Sequence, residues 1–149
     1  MTYVRELTVS YRLRPLSTGP PVPTGKLMLP EDAARTFLRL LGREVVEVCG
    51  VLCLTSGLRL DSYHELSRGT LDQTILVPRD VFRVALLANA KSIIVGHNHP
   101  SGSLDPSPED VSVTSALSAS GTILGIQLLD QIIVNGEGQF YSFKAAGRL

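Results

Sequence analysis

Two of the three histidines of this chain lie two residues apart, in His97-Asn98-His99, and Asp110 follows eleven positions after the second. Residues two apart at the end of a strand project from the same side, so both imidazoles can face one point. The proline- and glycine-rich loop after His99 can turn the chain back, so that a following helix delivers Asp110. Two imidazoles and one carboxylate suit zinc, with a fourth position open for water. Such a zinc ion lowers the pKa of its water to about 7 and polarises a carbonyl, which is the chemistry of a hydrolase.

Asp110 also has a purely structural explanation. The run Ser107-Pro108-Glu109-Asp110 resembles a capping box, in which an N-cap serine and a first-turn acid satisfy free backbone amides. Taken alone, Ser107 is better explained as a cap than as a catalytic group. An isolated His-x-His is a weak signal, so the metal hypothesis depends on the combination of these residues after a buried strand.

The elements that would position these residues can be predicted from periodicity. Residues 92–96 form a short apolar strand that leads into the histidines, and residues 45–55 predict a strand covered on both faces. A helix is expected to begin after Ser107 and to end at Gly121. The remaining predicted elements are a half-buried strand at 4–14, a helix from Pro30 to Gly42, a hairpin strand at 58–65, a helix from Pro78 to Ala90 with Val81, Ala85, Leu86 and Ala88 buried, and a hairpin at 126–134 and 140–143. This order predicts an α/β domain with a mixed β-sheet and packed helices.

Length and composition exclude several classes of protein. The chain has 149 residues, of which 44% are hydrophobic and 19% charged, so a disordered chain is excluded and one folded domain is expected. Fourteen basic residues balance fourteen acidic ones, which argues against a strongly basic nucleic-acid binder. We find no signal peptide and no apolar run of the roughly 18 residues that span a bilayer, so a cytoplasmic location is expected. Residues 1–26, with a proline-rich stretch from Pro15, are expected to precede a main domain at 27–149.

Other candidate residues have simpler explanations. Cys49 and Cys53 share a strand face and are better explained as core residues than as metal or redox groups. His64 belongs to no motif and is expected on the surface, and a hairpin turn explains the glycines at 136 and 138. A solvated surface explains the arginines at 12, 14, 35, 39 and 43 better than a binding face does.

The histidine segment resembles a known motif. The stretch 93–102, IIVGHNHPSG, together with Ser107 and Asp110, is similar to the JAMM motif, His-x-His-x7-Ser-x2-Asp. Its HNHPSG form resembles the RadC family of MPN/JAB-type domains, which have a cytidine-deaminase-like fold. The segments Arg68-Gly69-Thr70-Leu71 and 77–82 are similar to further family segments, as are 124–130 and 141–143, so the resemblance covers about residues 27–149.

This resemblance implies a zinc site with His97, His99 and Asp110 as ligands. It also implies an upstream glutamate at the start of the buried strand, acting as general base and then as proton donor to the leaving amine. Counting along the strand assigns that role to Glu47, with Glu44 as the less favoured alternative. A carboxylate inside an apolar strand is costly without a charged partner, which fits a role beside a metal. Ser107 would hydrogen-bond near the water or the tetrahedral oxyanion while also capping the helix.

The sequence departs from the family pattern at three places. Relatives often carry histidine at the positions of Val77 and Gln131, which are outside the ligand set, so substrate contacts rather than zinc binding are put in doubt. Longer RadC proteins carry an N-terminal helix-hairpin-helix segment, and here we expect that segment to be absent.

The resulting functional hypothesis is a JAMM-type zinc metallopeptidase that cleaves a peptide or isopeptide bond. The expected partner is a peptide or protein substrate, with a ubiquitin-like protein as one candidate, and an exposed edge strand could pair two copies. The alternative from another class is a DNA-repair-associated accessory protein of the RadC type without proteolytic activity. A nuclease is a weaker alternative, since phosphodiester cleavage commonly uses two metals.

Overall fold

The computed structural model describes residues 1–19, 21–69 and 76–149. Within these ranges it contains three helices and five strands, and it confirms the predicted α/β class with a mixed sheet. In chain order the elements are α1 (Pro30–Leu41), β1 (Val48–Leu54), β2 (Leu60–Arg68), α2 (Pro78–Leu87), β3 (Ser92–Asn98), α3 (Pro108–Leu124), β4 (Gln127–Val134) and β5 (Phe140–Ser142). Thr70 and Leu71, which belong to a segment similar to the family, lie outside the described residues.

The five strands form one sheet in the order β2-β1-β3-β4-β5. Neighbours pair antiparallel except β3 and β4, which are parallel and are connected through α3. A parallel pair requires a crossover of this length, whereas β1–β2 and β4–β5 are hairpins. Consequently the C-terminal end of β3 and the N-terminus of α3 lie at the same end of the sheet, and the histidines lie there.

Helices cover both faces of the sheet, which explains why every residue of β1 and β3 is buried. On one face α1 packs against alternate residues of the central strands, in a cluster that includes Phe37, Leu41, Leu52, Ile94 and Ile132. On the other face α2 and α3 contribute to a second cluster that includes Val51, Phe82, Ile93, Val95 and Leu117. The alternation therefore places odd-numbered residues of β1 and β3 on the α2–α3 face and even-numbered ones on the α1 face.

The predicted N-terminal strand is wrong. Residues 4–14 have no strand partner and are exposed, including the large side chains of Val9, Tyr11 and Leu13. An alternating pattern gives a strand one apolar face, but the backbone N–H and C=O groups of the strand still need hydrogen-bond partners on a neighbouring strand. This arm instead contacts β2 through Arg14, whose guanidinium lies 3.7 Å from the Glu65 carboxylate.

Several predicted boundaries also shift. The first central strand begins at Val48 rather than at residue 45. α1 ends at Leu41 with Gly42 as its C-cap, which confirms the predicted end, and Gly42 has a right-handed φ of −60°. α3 continues past the predicted end at Gly121 and ends at Gly125, which has a left-handed φ of 69°. Gly121 lies inside the helix, where a Cβ would collide with the carbonyl oxygen of Ile126.

The prediction of which α2 residues are buried is also partly wrong. Phe82 packs inside where Leu86 was expected, and Leu86 is exposed.

None of the helices in the described part of the chain is long and apolar enough to cross a membrane.

Gly96 provides a test of how closely α1 approaches the strand that carries the histidines. A Cβ at Gly96 would lie 2.6 Å from two ring carbons of Phe37, which is buried in the α1 cluster. We expect Gly96→Ala to lower the free energy of unfolding by about 1–3 kcal/mol through overpacking, measured by urea denaturation. Gly57→Ala is the matched control, since its Cβ would lie 3.7 Å from its nearest neighbour, and a change within about 0.5 kcal/mol is expected. Equal effects of the two substitutions would contradict the close packing.

Candidate metal centre

The two histidines of the motif face the same point at the end of β3. His97 is on the strand and His99 follows it, so both lie on the α2–α3 face. Their Nε2 atoms are 3.0 Å apart, and their ring planes are tilted by 54°. The backbone N–H of His99 donates to the carbonyl of Val134 on β4, 2.9 Å away, which continues the parallel pairing past the end of the strand.

Asp110 reaches the histidines from the first turn of α3. Its Oδ1 is 3.3 Å from His97 Nε2, and its Oδ2 is 3.7 Å from His99 Nε2. The predicted capping box is present, since Asp110 N donates to Ser107 Oγ at 3.1 Å and Ser107 N donates to Asp110 Oδ2 at 2.8 Å. Oδ1 of Asp110 therefore faces His97, whereas Oδ2 accepts the cap hydrogen bond and also lies near His99.

This cluster has the dimensions of a metal site. Ligand atoms bound to one tetrahedral zinc ion lie about 3.4 Å apart. His97 Nε2 is 3.0 Å from His99 Nε2 and 3.3 Å from Asp110 Oδ1, and the candidate ligand atoms of the three residues all lie within 4.8 Å of one another. His97, His99 and Asp110 are the group of His, Cys, Asp or Glu side chains in the described chain that could hold a metal ion. The His97 side chain is 4% exposed, whereas those of His99 and Asp110 are 14% and 15% exposed. One side of the cluster is therefore open to water.

The charges of the cluster already favour a cation. Burial alone would raise the pKa of Asp110, but hydrogen bonds with His97 and His99 outweigh it and hold this pKa well below its usual range. The hydrogen bond with Asp110 raises the pKa of His99, against the opposing effect of burial. Asp110 is consequently an anion that stabilises positive charge on His99, and a metal ion could supply that positive charge instead.

The loop after β3 orients the second histidine. His99 Nδ1 lies 2.8 Å from the carbonyl oxygen of Ser103, so a proton on Nδ1 would leave the Nε2 lone pair facing the cluster. Asn135, in the β4–β5 turn, donates from Nδ2 to the carbonyl of Gly102 at 2.9 Å. The C-terminal hairpin therefore holds the loop that orients His99.

Glu47 lies beside the cluster, although not inside the strand as expected. It immediately precedes β1 and is exposed, whereas the sequence argument placed it within the apolar run. Cys49 is opposite His97 in the last pair of the β1–β3 ladder, and Glu47 precedes Cys49 by two residues. The negative charge of Glu47 also contributes to raising the pKa of His99. An exposed carboxylate here can contact both a water molecule and a substrate.

Glu44, the alternative to Glu47, is already paired. Arg68 Nη1 and Nη2 lie 2.7 Å and 3.1 Å from its two carboxylate oxygens, and the hydrogen bonds with Arg68 lower the pKa of Glu44. A carboxylate held in this fork is a weak base. The geometry therefore favours Glu47 over Glu44.

The simpler explanations of the other candidate residues agree with the structure. Cys49 and Cys53 are free, buried and part of the α2–α3 cluster, and burial raises their pKa values to about 12 and about 11. Both are therefore neutral thiols. His64 is exposed on β2, and residues 136–138 form the turn between β4 and β5.

Thr114 and Gln131 connect the backbone of Asp110 to β4, and neither residue was predicted to have this role from the sequence. The hydroxyl of Thr114 lies 2.8 Å from the Asp110 carbonyl oxygen and 2.6 Å from Gln131 Oε1. Thr114 and Gln131 are both buried and connect α3 to β4. The departure from the family pattern at Gln131 was visible in the sequence, but its contact with the ligand-bearing helix required the fold.

Comparison with known proteins gives a consistent result. A family model described as "RadC-like JAB domain" matches residues 27–148. The chain is 45% identical over 109 residues to a UPF0758 protein of Thermotoga maritima, 41% over 119 residues to one of Clostridioides difficile, and 44% over 106 residues to one of Finegoldia magna. These matches cover 73%, 80% and 71% of this chain, and 47%, 50% and 48% of the relatives. The chain thus spans about half the length of the curated relatives it matches.

The matched region contains the whole sheet, all three helices of the described residues and the His97–His99–Asp110 cluster. Together with the resemblance of the HNHPSG segment, this shows that the chain belongs to the family of RadC-like JAB domains.

Proposed function

We propose that this domain is a zinc-dependent hydrolase that cleaves a peptide or isopeptide bond. The observation that carries the proposal is the cluster of His97 Nε2, His99 Nε2 and the Asp110 carboxylate, with Glu47 two residues before Cys49, the partner of His97 in the sheet. Two nitrogen ligands and one oxygen ligand suit zinc with an open position. Iron(II) also binds two histidines and a carboxylate, so metal analysis must distinguish the two ions.

The proposed mechanism assigns a role to each side chain. Zinc bound by His97, His99 and Asp110 would make a water molecule acidic and polarise the scissile carbonyl. Glu47 accepts the proton of the attacking water and later delivers it to the leaving nitrogen. Because Glu47 is exposed while His97 is buried, the substrate enters from the side of Glu47.

Ser107 has a second role that is compatible with its cap. Asp110 N donates to a lone pair of Ser107 Oγ, so the hydroxyl hydrogen can donate to the oxyanion that develops on the substrate. The site has one metal position and one base, an arrangement that suits acyl transfer better than phosphodiester cleavage. The half-open cluster is accessible to a bond within a folded or extended protein substrate.

Metal content is the first test. We expect about one zinc per chain by elemental mass spectrometry, and its loss in His99→Ala and in Asp110→Asn. Asparagine is chosen because its amide oxygen can still accept the cap hydrogen bond from Ser107 N, so the helix is retained. Iron in place of zinc would contradict the proposed chemistry. If no metal bound even after reconstitution, the alternative of an accessory protein without proteolytic activity would be favoured.

The pH dependence of zinc binding follows from the raised pKa of His99. Zinc must displace the proton from this ring, so affinity falls on acidification by about tenfold per pH unit for each proton displaced. Because the pKa of His99 is raised by Asp110, this loss should begin above about pH 6.5, the ordinary midpoint of histidine. Competition with a chromophoric chelator measures the profile. His64→Ala is the control and should leave it unchanged, and a profile that is flat down to about pH 6 would refute the expectation.

The role of Glu47 is tested with a matched pair of variants. On a quenched-fluorescence library of peptides and lysine isopeptides, Glu47→Gln should lower kcat by about 100-fold or more while zinc remains bound. Glu44→Gln removes the same charge three residues away and breaks only the Arg68 pair, so kcat should change by less than about threefold.

The same assay separates the two roles of Ser107. Ser107→Ala should reduce stability by about 1 kcal/mol through the lost cap, and it should also lower kcat by about tenfold.

If Glu44→Gln rather than Glu47→Gln abolished turnover, the assignment of the base would be wrong. A wild-type protein that binds zinc but cleaves neither bond type would refute the proposed activity.

A further inference from the structure

Asn98 lies between the two histidines in sequence but on the opposite face of the sheet. We propose that it is a positioning residue, whose amide ties the segment 44–48 to β3 and so holds Glu47 at a fixed place beside the metal cluster. This inference rests on the proposed function in that Glu47 is taken as the base. The tie itself is a property of the chain and can be measured without a substrate.

The side chain of Asn98 makes three hydrogen bonds, all to backbone atoms of this one segment. Its Oδ1 accepts from Val48 N at 2.7 Å. Its Nδ2 donates to the carbonyl of Val46 at 2.9 Å and to the carbonyl of Glu44 at 3.2 Å. Asn98 is buried, with 2% of its surface exposed, so these bonds are shielded from competing water.

The location of these bonds explains what they hold. After α1, the chain passes the end of the sheet from the α1 face and enters β1 at Val48. Asn98 binds the residue before Glu47 and the residue after it, so the backbone of Glu47 is fixed on both sides. Since side chains alternate along β3, the same strand end presents ligands on one face and this amide on the other.

Other contacts hold the segment without linking it to the ligand strand. Gly69 N donates to the carbonyl of Glu47 at 2.6 Å, and Arg68 holds the Glu44 carboxylate. Both of these partners lie at the end of β2, which is separated from β3 by β1. Asn98 differs because it is covalently adjacent to both His97 and His99. Asn98 therefore links the backbone on both sides of Glu47 directly to the residues next to it that carry the imidazoles, in addition to the β1–β3 ladder that begins at Cys49.

The chemistry of the tie is specific to asparagine. It needs one acceptor and two donors at the end of a short side chain, which is the amide inventory. Aspartate offers only acceptors and would face the carbonyls of Val46 and Glu44 with its own oxygens. Serine is too short to span three partners, and alanine leaves these three backbone groups without this partner, among them the buried N–H of Val48.

Amide hydrogen exchange tests the tie directly on the full chain, with and without zinc. In Asn98→Ala, the Val48 amide should lose at least about tenfold protection, because its acceptor is removed. The Val51 amide, within the β1–β3 and β1–β2 ladders, is the internal reference and should change far less. Unchanged protection at Val48 would overturn the proposal, whether or not any hydrolytic activity is found.

A double-mutant cycle tests whether the tie acts through Glu47. We expect Asn98→Ala to lower kcat by about 10- to 100-fold in the wild-type background, and by less than about twofold in the Glu47→Gln background. Zinc affinity, measured by chelator competition, should stay within about threefold of the wild-type value, since the three ligands are retained. An equal loss of kcat in both backgrounds, or a parallel loss of zinc, would overturn the positioning role.

A destabilised control separates positioning from general loss of structure. Leu54→Ala removes a fully buried side chain from the far end of β1, where Leu54 pairs with Ser92. It should lower the urea midpoint at least as much as Asn98→Ala while kcat stays within about twofold. If Leu54→Ala reduced kcat as strongly as Asn98→Ala, instability would explain the effect and the proposal would fall. Absence of cleavage by the wild-type protein would instead refute the proposed function, and the exchange measurement would still decide the tie.

Discussion

The register between β1 and β3 is the constraint on which the rest of the site depends. Cys49 lies opposite His97, and the antiparallel ladder runs without a shift from there to the far end of β1. This pairing fixes the odd-numbered positions at the end of both strands on the face covered by α2 and α3. A slip by one residue would move the histidines under α1 and bring Gly96 out from beneath Phe37. Core packing and site assembly are therefore selected by the same register.

The start of α3 is the second requirement, because it supplies the carboxylate. Asp110 accepts the cap hydrogen bond on Oδ2 and faces His97 with Oδ1, so the cap and the candidate ligand are one side chain. An N-cap of this kind contributes about 1 kcal/mol to stability. The hydrogen bond between Thr114 and Gln131 then connects the start of α3 to β4. The backbone of His99, where the following loop begins, is also hydrogen-bonded to β4. Metal binding at such a cluster would stabilise the native fold through the same contacts.

The site has a buried and an accessible side. His97 and Cys49 lie within the core, where thiols remain neutral, while Glu47 and part of His99 face solvent. The two carboxylates, Glu47 and Asp110, both raise the pKa of His99, so the local field favours a cation despite the zero net charge of the chain. The matched region, which contains this cluster, corresponds to about half the length of the relatives.

The sequence alone determined the class of fold, the cluster His97, His99 and Asp110, and the cap at Ser107. These depend on short-range spacing, since a strand end, a loop and a helix N-terminus are local features. Tertiary structure alone decided three other matters. Residues 4–14 alternate like a strand but have no partner; Gly121 looks like a helix end but accommodates the Ile126 carbonyl; and Glu47 lies outside the strand, in a segment whose backbone Asn98 binds. The first and the third depend on atoms distant in sequence, which no local pattern records. The second depends on how the chain turns after α3 to enter β4, which the positions of the glycines alone do not show.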